Sequence, residues 1–109
     1  MHSDQDLNAR FEHARQLQLS GQFTAAYHAY QNLLCLLPGN HALIGLMGTC
    51  LTQDNQHTRA MEWLRRAIAL SPSHVASHSN LGNALKDEGQ AEKAMHCYQN
   101  ALILQPNHE

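Results

Sequence analysis

Nine histidines are the residues of this chain best able to do chemistry. His74 and His78 stand four apart, a spacing that puts two imidazoles on one helix face as a metal site would want. A zinc site needs three or four ligands, and no third one stands at a matching offset. His74 recurs as His108 and His28 as His96, so internal copying accounts for several histidines. They are expected at surfaces and helix ends, with no metal and no cofactor. Cys97 follows His96, but adjacent helical residues diverge, so a packed thiol is expected there rather than an activated one. Asp87, Glu88 and Glu92 cluster around a turn in water, without the pocket and opposed geometry that acid–base catalysis needs. Glu62 and Arg66 form an i, i+4 pair on a solvated face. Gly45-Leu46-Met47-Gly48 echoes a GxxG loop, yet no sheet pattern accompanies it. No phosphate loop, nucleophile elbow or metalloprotease helix is present. Catalysis is not expected within these residues.

The elements that position these side chains follow from another spacing. Pro38, Pro72 and Pro106 are the only prolines, each 34 residues from the next. A fixed period of this length marks a structural unit copied in tandem. Residues 1–6 form a lead-in, and the units are 7–40, 41–74 and 75–108. Stacked on their prolines, Ala14, Gly48 and Gly82 coincide, as do Leu17, Leu51 and Leu85, and Ala26, Ala60 and Ala94. Tyr30-Gln31-Asn32 recurs as Tyr98-Gln99-Asn100. Small residues at the Gly82 and Ala94 positions let two helices approach closely, with Tyr98 filling the adjacent space. Each unit therefore reads as a helix pair, A then B, and the predicted helices are 4–20, 23–36, 41–54, 57–70, 75–88 and 91–104. Gly89 and Asn55 are expected in the left-handed conformation that closes an A helix, and Ser73 is expected to cap the third A helix. Proline ends each B helix, because it lacks the amide donor and restricts the residue before it.

These positions resemble the tetratricopeptide repeat. The third unit carries Leu81-Gly82, Leu85, Gly89, Ala94, Tyr98, Ala101 and Pro106; the second carries Ile44, Met47-Gly48, Leu51, Ala60, Leu64, Ala67 and Pro72. The first unit departs most, with Arg10 and His13 where large apolar residues are usual and Leu33 in place of Ala. The resemblance implies an all-α, right-handed solenoid of three helix-turn-helix units. It implies a scaffold that binds a protein or an extended peptide on the concave face of its A helices. The residues that would do so are Phe11, Arg15, Leu46, Thr49, Asn80, Asn83 and Lys86, with Asn8, Glu12, Gln18, Ala42, Gly45, Gln53, Ser79 and Asp87 beside them. Two precedents apply. The chaperone-tail carboxylate clamp would use Phe11, Arg15, Leu46, Ala76 and Asn80; only Arg15 is cationic, so that clamp is largely missing. The third unit is similar to the superhelical arrays that precede glycosyltransferase domains, with Asn80 at the position of their Asn ladder. The alternative reading is therefore a recruiting region of a multidomain enzyme whose catalysis lies elsewhere.

Composition sets the remaining bounds. With 15% charged residues and a net charge of −2, no basic footprint for nucleic acid or an anionic membrane exists. The longest apolar run, Leu33 to Leu37, is far too short to span a bilayer, and the acidic start is not a signal peptide. Cys35, Cys50 and Cys97, odd in number, read as reduced thiols in a cytoplasmic protein. The worn first unit looks terminal and the regular third looks internal, so the chain is expected to be the leading piece of a longer protein. Met95, Tyr98 and Leu102 would then present an unpaired apolar face, open to homodimer formation.

Overall fold

The computed structural model describes residues 4–105, so Pro106, His108 and the first three residues of the lead-in lie outside it. It contains α1 (Asp4–Leu19), α2 (Phe23–Leu36), α3 (His41–Gln53), α4 (His57–Leu70), α5 (Val75–Asp87) and α6 (Ala91–Leu104). The all-α reading holds, and no strand occurs among the described residues. Each A helix (α1, α3, α5) closes one residue earlier than expected, because Ser20, Asp54 and Glu88 already belong to the turn.

Those turns repeat one geometry. Gly21 (φ 82°), Asn55 (φ 61°) and Gly89 (φ 80°) take the left-handed conformation. The following amide then reaches back five residues: Gln22 to the Leu17 carbonyl (2.9 Å), Gln56 to Leu51 (2.8 Å) and Gln90 to Leu85 (2.8 Å). This satisfies carbonyls that a helix end would leave orphaned. Asn40 caps α3, its side chain accepting from the Leu43 amide at 3.0 Å. The expected Ser73 cap is not made. The residue at the cap of α5 is His74, so Ser73 stands one position too early for its hydroxyl to reach the first turn.

The core follows the repeat. Ala14, Ala26, Ala60 and Ala94 are buried, as are Met47, Leu51, Leu64, Leu81 and Leu85. At Gly48 a β-carbon would stand 2.7 Å from Leu64 Cγ, and at Gly82 2.8 Å from Tyr98 Cε1. The small positions thus set the spacing of A on B, as the sequence implies. Arg10 and His13, at normally apolar positions, are exposed, and Arg10 Nε pairs with Asp6 Oδ2 at 3.1 Å. The expected Glu62–Arg66 pair is not among the ion pairs of the described residues. Arg66 instead lies over the Trp63 ring (4.9 Å), Arg59 lies over Tyr27 (5.3 Å), and the two rings meet edge to face at 6.2 Å. These planar and apolar surfaces offer the guanidinium stems more contact than a solvated carboxylate does. They clasp α2 to α4.

Each A helix packs on its own B helix, α3 and α5 also pack on the B helix before them, and α3 packs on α5. No two B helices make a comparable contact. The array therefore curves with its A helices on the inner side.

Candidate functional site

The inner face carries a series of side-chain hydrogen bonds that join neighbouring A helices. Tyr30 Oη donates to Gln18 Oε1 (2.8 Å), and Gln18 Nε2 donates to Gln53 Oε1 (2.9 Å), tying α2 through α1 to α3. Farther along, Asn80 Nδ2 donates to Thr49 Oγ1 (2.8 Å), whose own hydroxyl donates to the Gly45 carbonyl (3.0 Å), tying α5 to α3. Asn83 Oδ1 accepts from Tyr98 Oη at 2.5 Å. Each Asn thus spends half of its amide. Asn80 keeps a carbonyl acceptor and Asn83 keeps an NH2 donor, three residues apart on one helix. An acceptor and a donor at that separation suit the alternating groups of an extended backbone, whatever its side chains.

The other candidates divide. Thr49 and Asn80 are brought together, and Lys86 is exposed beyond them. Arg15 is exposed, but both its arms hold Glu12: Nε to Oε2 at 3.1 Å and Nη2 to Oε1 at 2.9 Å. The hydrogen bond from Arg15, aided by one from Gln16, keeps the Glu12 carboxyl below its usual range, and Glu12 in turn raises Arg15. The charge of Arg15 is thereby matched locally. Phe11 and Leu46 are half-buried against the core, Phe11 edge to face with Tyr30 at 5.8 Å, so both pack more than they present. Gly45 is buried beneath His74, whose Cε1 would stand 3.1 Å from a β-carbon there, and is not available to a ligand. Ser79 lines a groove at the far end of the array rather than the inner face. Gln18 and Gln53 were legible as A-helix positions off the core stripe; their bond across the units was not.

One histidine, His78, departs from the expected placement at surfaces and helix ends, while His57, the first residue of α4, is a helix-end residue that is not exposed. His78 is buried, with Nε2 2.8 Å from the Pro72 carbonyl. His57 is largely enclosed, with Nε2 3.5 Å from Asp87 Oδ2 and its Nδ1 buried without a partner. His74 sits at the start of α5, Nδ1 2.5 Å from Ser77 Oγ and its ring 5.7 Å from that of His41. Among the described residues no three His, Cys, Asp or Glu side chains could hold one metal ion. Burial first, then the nearness of His41 and His78, lowers the pKa of His74. A lowered imidazole pKa means that the unfolded chain takes the proton more readily. Its contribution to stability is full above the ordinary histidine value of about 6.5 and declines as pH falls below it, until the folded pKa is passed. The urea midpoint should therefore fall between pH 7 and pH 5, and His74→Gln should flatten that fall; an unchanged slope contradicts the assignment.

The thiols are unpaired. Burial pushes Cys50 up to about 12 and raises Cys97, opposite to the depressed pKa a reactive cysteine needs. Cys35 is exposed.

Stacked helix pairs with a polar inner face define a helical-repeat solenoid, a class built for binding. The chain belongs to the tetratricopeptide repeat family, whose models match residues 17–68, 48–89 and 75–108. No curated protein matches its sequence. Among solved structures it is similar to an O-GlcNAc transferase mutant from Thermobaculum terrenum (32% identity, TM-score 0.88, 99% of this chain). The match spans 21% of that transferase's chain, so this sequence corresponds to about a fifth of its length. The first TPR of Spaghetti (RPAP3), bound to the HSP90 peptide SRMEEVD, has the same fold (22% identity, TM-score 0.89, 97% of this chain and 84% of that one). So does the Yersinia enterocolitica type III secretion chaperone SycD in complex with a peptide of the translocator YopD (18%, 0.89, 96% and 80%). No helix among the described residues is long and apolar enough to cross a membrane.

Proposed function

We propose that this chain is a peptide-binding scaffold that holds an extended segment of a protein partner along the inner face of α1, α3 and α5. The observation that carries this reading is the half-used amide pair of Asn80 and Asn83, beside the Gln18–Gln53 and Thr49–Asn80 bonds that fix the neighbouring A helices. Prior fixing of these side chains lowers the ordering cost of binding. RPAP3 and SycD, of like fold, are seen with bound peptides, which supports the class of ligand. A carboxylate clamp fits poorly, because Arg15 is held by Glu12. The reading places the protein in the cytoplasm, where three unpaired thiols stay reduced. Peptides selected from a random twelve-residue library by the whole chain supply the probe. Asn80→Ala and Asn83→Ala should each weaken the selected peptides about 5-fold, the worth of one uncharged hydrogen bond, without loss of helicity. Affinities unchanged by both substitutions reject the site.

A second reading has its own support in the 32% identity to the O-GlcNAc transferase. The chain would then recruit protein substrates for a glycosyltransferase domain in the same polypeptide. In such a polypeptide, deleting this region should raise KM for protein substrates and leave kcat intact. Equal kinetics with and without it contradict this reading.

A further inference from the structure

The outer surface of α4 holds cations that no carboxylate of the fold takes up. α4 carries Arg59, Arg65 and Arg66 against one acid, Glu62, in a chain whose net charge is −2. All four side chains are exposed, and none stands in an ion pair among the described residues. The arginines of α1 differ, since Asp6 holds Arg10 and Glu12 holds Arg15. α2, whose Tyr27 meets Trp63 of α4, lies within residues 16–53, a stretch without a single Asp, Glu, Lys or Arg. Arg59, Trp63 and Arg66 share one side of α4, at i, i+4 and i+7. Arg59 over Tyr27 and Arg66 over Trp63 place the two guanidinium groups at opposite ends of an aromatic pair. A guanidinium stacked in this way uses its flat face and keeps its in-plane N–H donors for an anion. Nη1 of Arg59 donates to Gln56 Oε1 (2.6 Å), which fixes that group further. Arg65 stands toward α6, where its charge acts on Cys97. Repeats added at either end would leave this side of α4 open, because units join through an A helix packed on the preceding B helix.

We propose that this outer face of α4 is a second binding surface, which takes an extended acidic segment of a protein partner, with Arg59 and Arg66 each holding one carboxylate. Seven helical residues separate the two arginines by about 10.5 Å along the axis. In a polyproline-II-like segment, residues three apart point the same way and stand about 9 Å apart, within reach of both side chains. Mutual repulsion of its carboxylates keeps such a segment extended. The guanidinium fork meets a carboxylate through two parallel hydrogen bonds, and a fork already held on a ring loses little freedom in making them. Nucleic acid and anionic membranes fit less well. Three guanidinium groups with Glu62 among them, on a chain of net negative charge, are few for a row of phosphates. The surface is separate from the inner face, and peptides held there through their backbones should bind Arg59→Gln and Arg66→Gln variants as before.

Trp63 is the only tryptophan, so its fluorescence reports what reaches this face. The whole chain is titrated with a twelve-residue polyglutamate peptide, and with a Gly-Ser peptide of equal length as the uncharged control. The expected result is a saturable change with polyglutamate alone, lost at about 0.5 M salt as screening predicts for exposed charges. Arg59→Gln and Arg66→Gln should each weaken binding about 10-fold, the worth of one charge-assisted contact, and Lys93→Gln on α6 should leave it unchanged. Glu62→Gln, which removes the one carboxylate beside the arginines, should tighten binding about 3-fold. That gain decides the matter if an arginine variant loses its helical circular dichroism. No response to millimolar polyglutamate, equal binding of the Gly-Ser peptide, or affinity indifferent to both arginine substitutions and to Glu62→Gln would each overturn the proposal. So would tighter binding of a twelve-residue oligothymidylate or of phosphatidylserine vesicles than of polyglutamate.

Discussion

Replacing Gly48 by Leu lowers stability by about 3 kcal/mol and the melting midpoint by about 15 °C. Even a single β-carbon at this position meets Leu64 Cγ at 2.7 Å, its Cδ2 at 2.8 Å and its backbone nitrogen at 3.3 Å. Leu64 is fully buried, so it has nowhere to turn, and a backbone atom cannot yield without moving α4. The added side chain therefore pushes α3 from α4 at the centre of the array, and units on both sides lose contact. Gly82→Leu makes the informative contrast. There the nearest obstacle is the Tyr98 ring, at 2.8 to 3.1 Å, half-exposed. The ring can swing into solvent at the loss of one hydrogen bond, so the cost is about 1 kcal/mol. Urea denaturation of the two variants measures the difference; equal destabilisation would contradict the account of how the units are spaced.

Tyr30→Ala is expected to cost about 4 kcal/mol, the upper range for truncating a buried aromatic residue. Tyr30 is fully buried, meets Phe11 edge to face, and reaches Gln18 with its hydroxyl. Burial above all pushes its pKa up to about 12, so it remains a hydrogen-bond donor at neutral pH. The first unit has few apolar alternatives, since Arg10 and His13 face water. Loss of the ring should therefore free α1 and break the Gln18–Gln53 bond on the inner face. Tyr30→Phe keeps the packing and removes one neutral hydrogen bond, about 1 kcal/mol. Thermal unfolding followed by circular dichroism separates the two. Similar midpoints for the Ala and Phe variants would show that the ring does not anchor the first unit.

The period of 34 made helix pairing, left-handed turns and small contact positions legible, because these depend on neighbours within one unit. Contacts between units were another matter. Nothing in the period says that His74 will sit over Gly45, that His57 will face Asp87, or that Asn80 will reach Thr49. Each joins residues about 30 apart whose meeting is fixed by how one unit stacks on the next. For the same reason Arg66 was assigned to Glu62 on helical spacing, while the clasp of α2 on α4 supplied Trp63 and Tyr27 as stacking surfaces. The candidate face was found in outline because A-helix positions off the core stripe are readable from spacing. Which of its polar groups remain free was not readable, since that depends on partners from neighbouring helices.

The central claim is that the inner face of the A helices receives an extended peptide. Amide chemical-shift mapping of the isotope-labelled chain, titrated with a library-selected peptide, tests it most directly. The account predicts perturbations concentrated at Gln18, Leu46, Thr49, Gln53, Asn80 and Asn83, with the outward surfaces of α2, α4 and α6 unchanged. Perturbations centred on Arg59, Trp63 and Arg66, with the inner face silent, would contradict it.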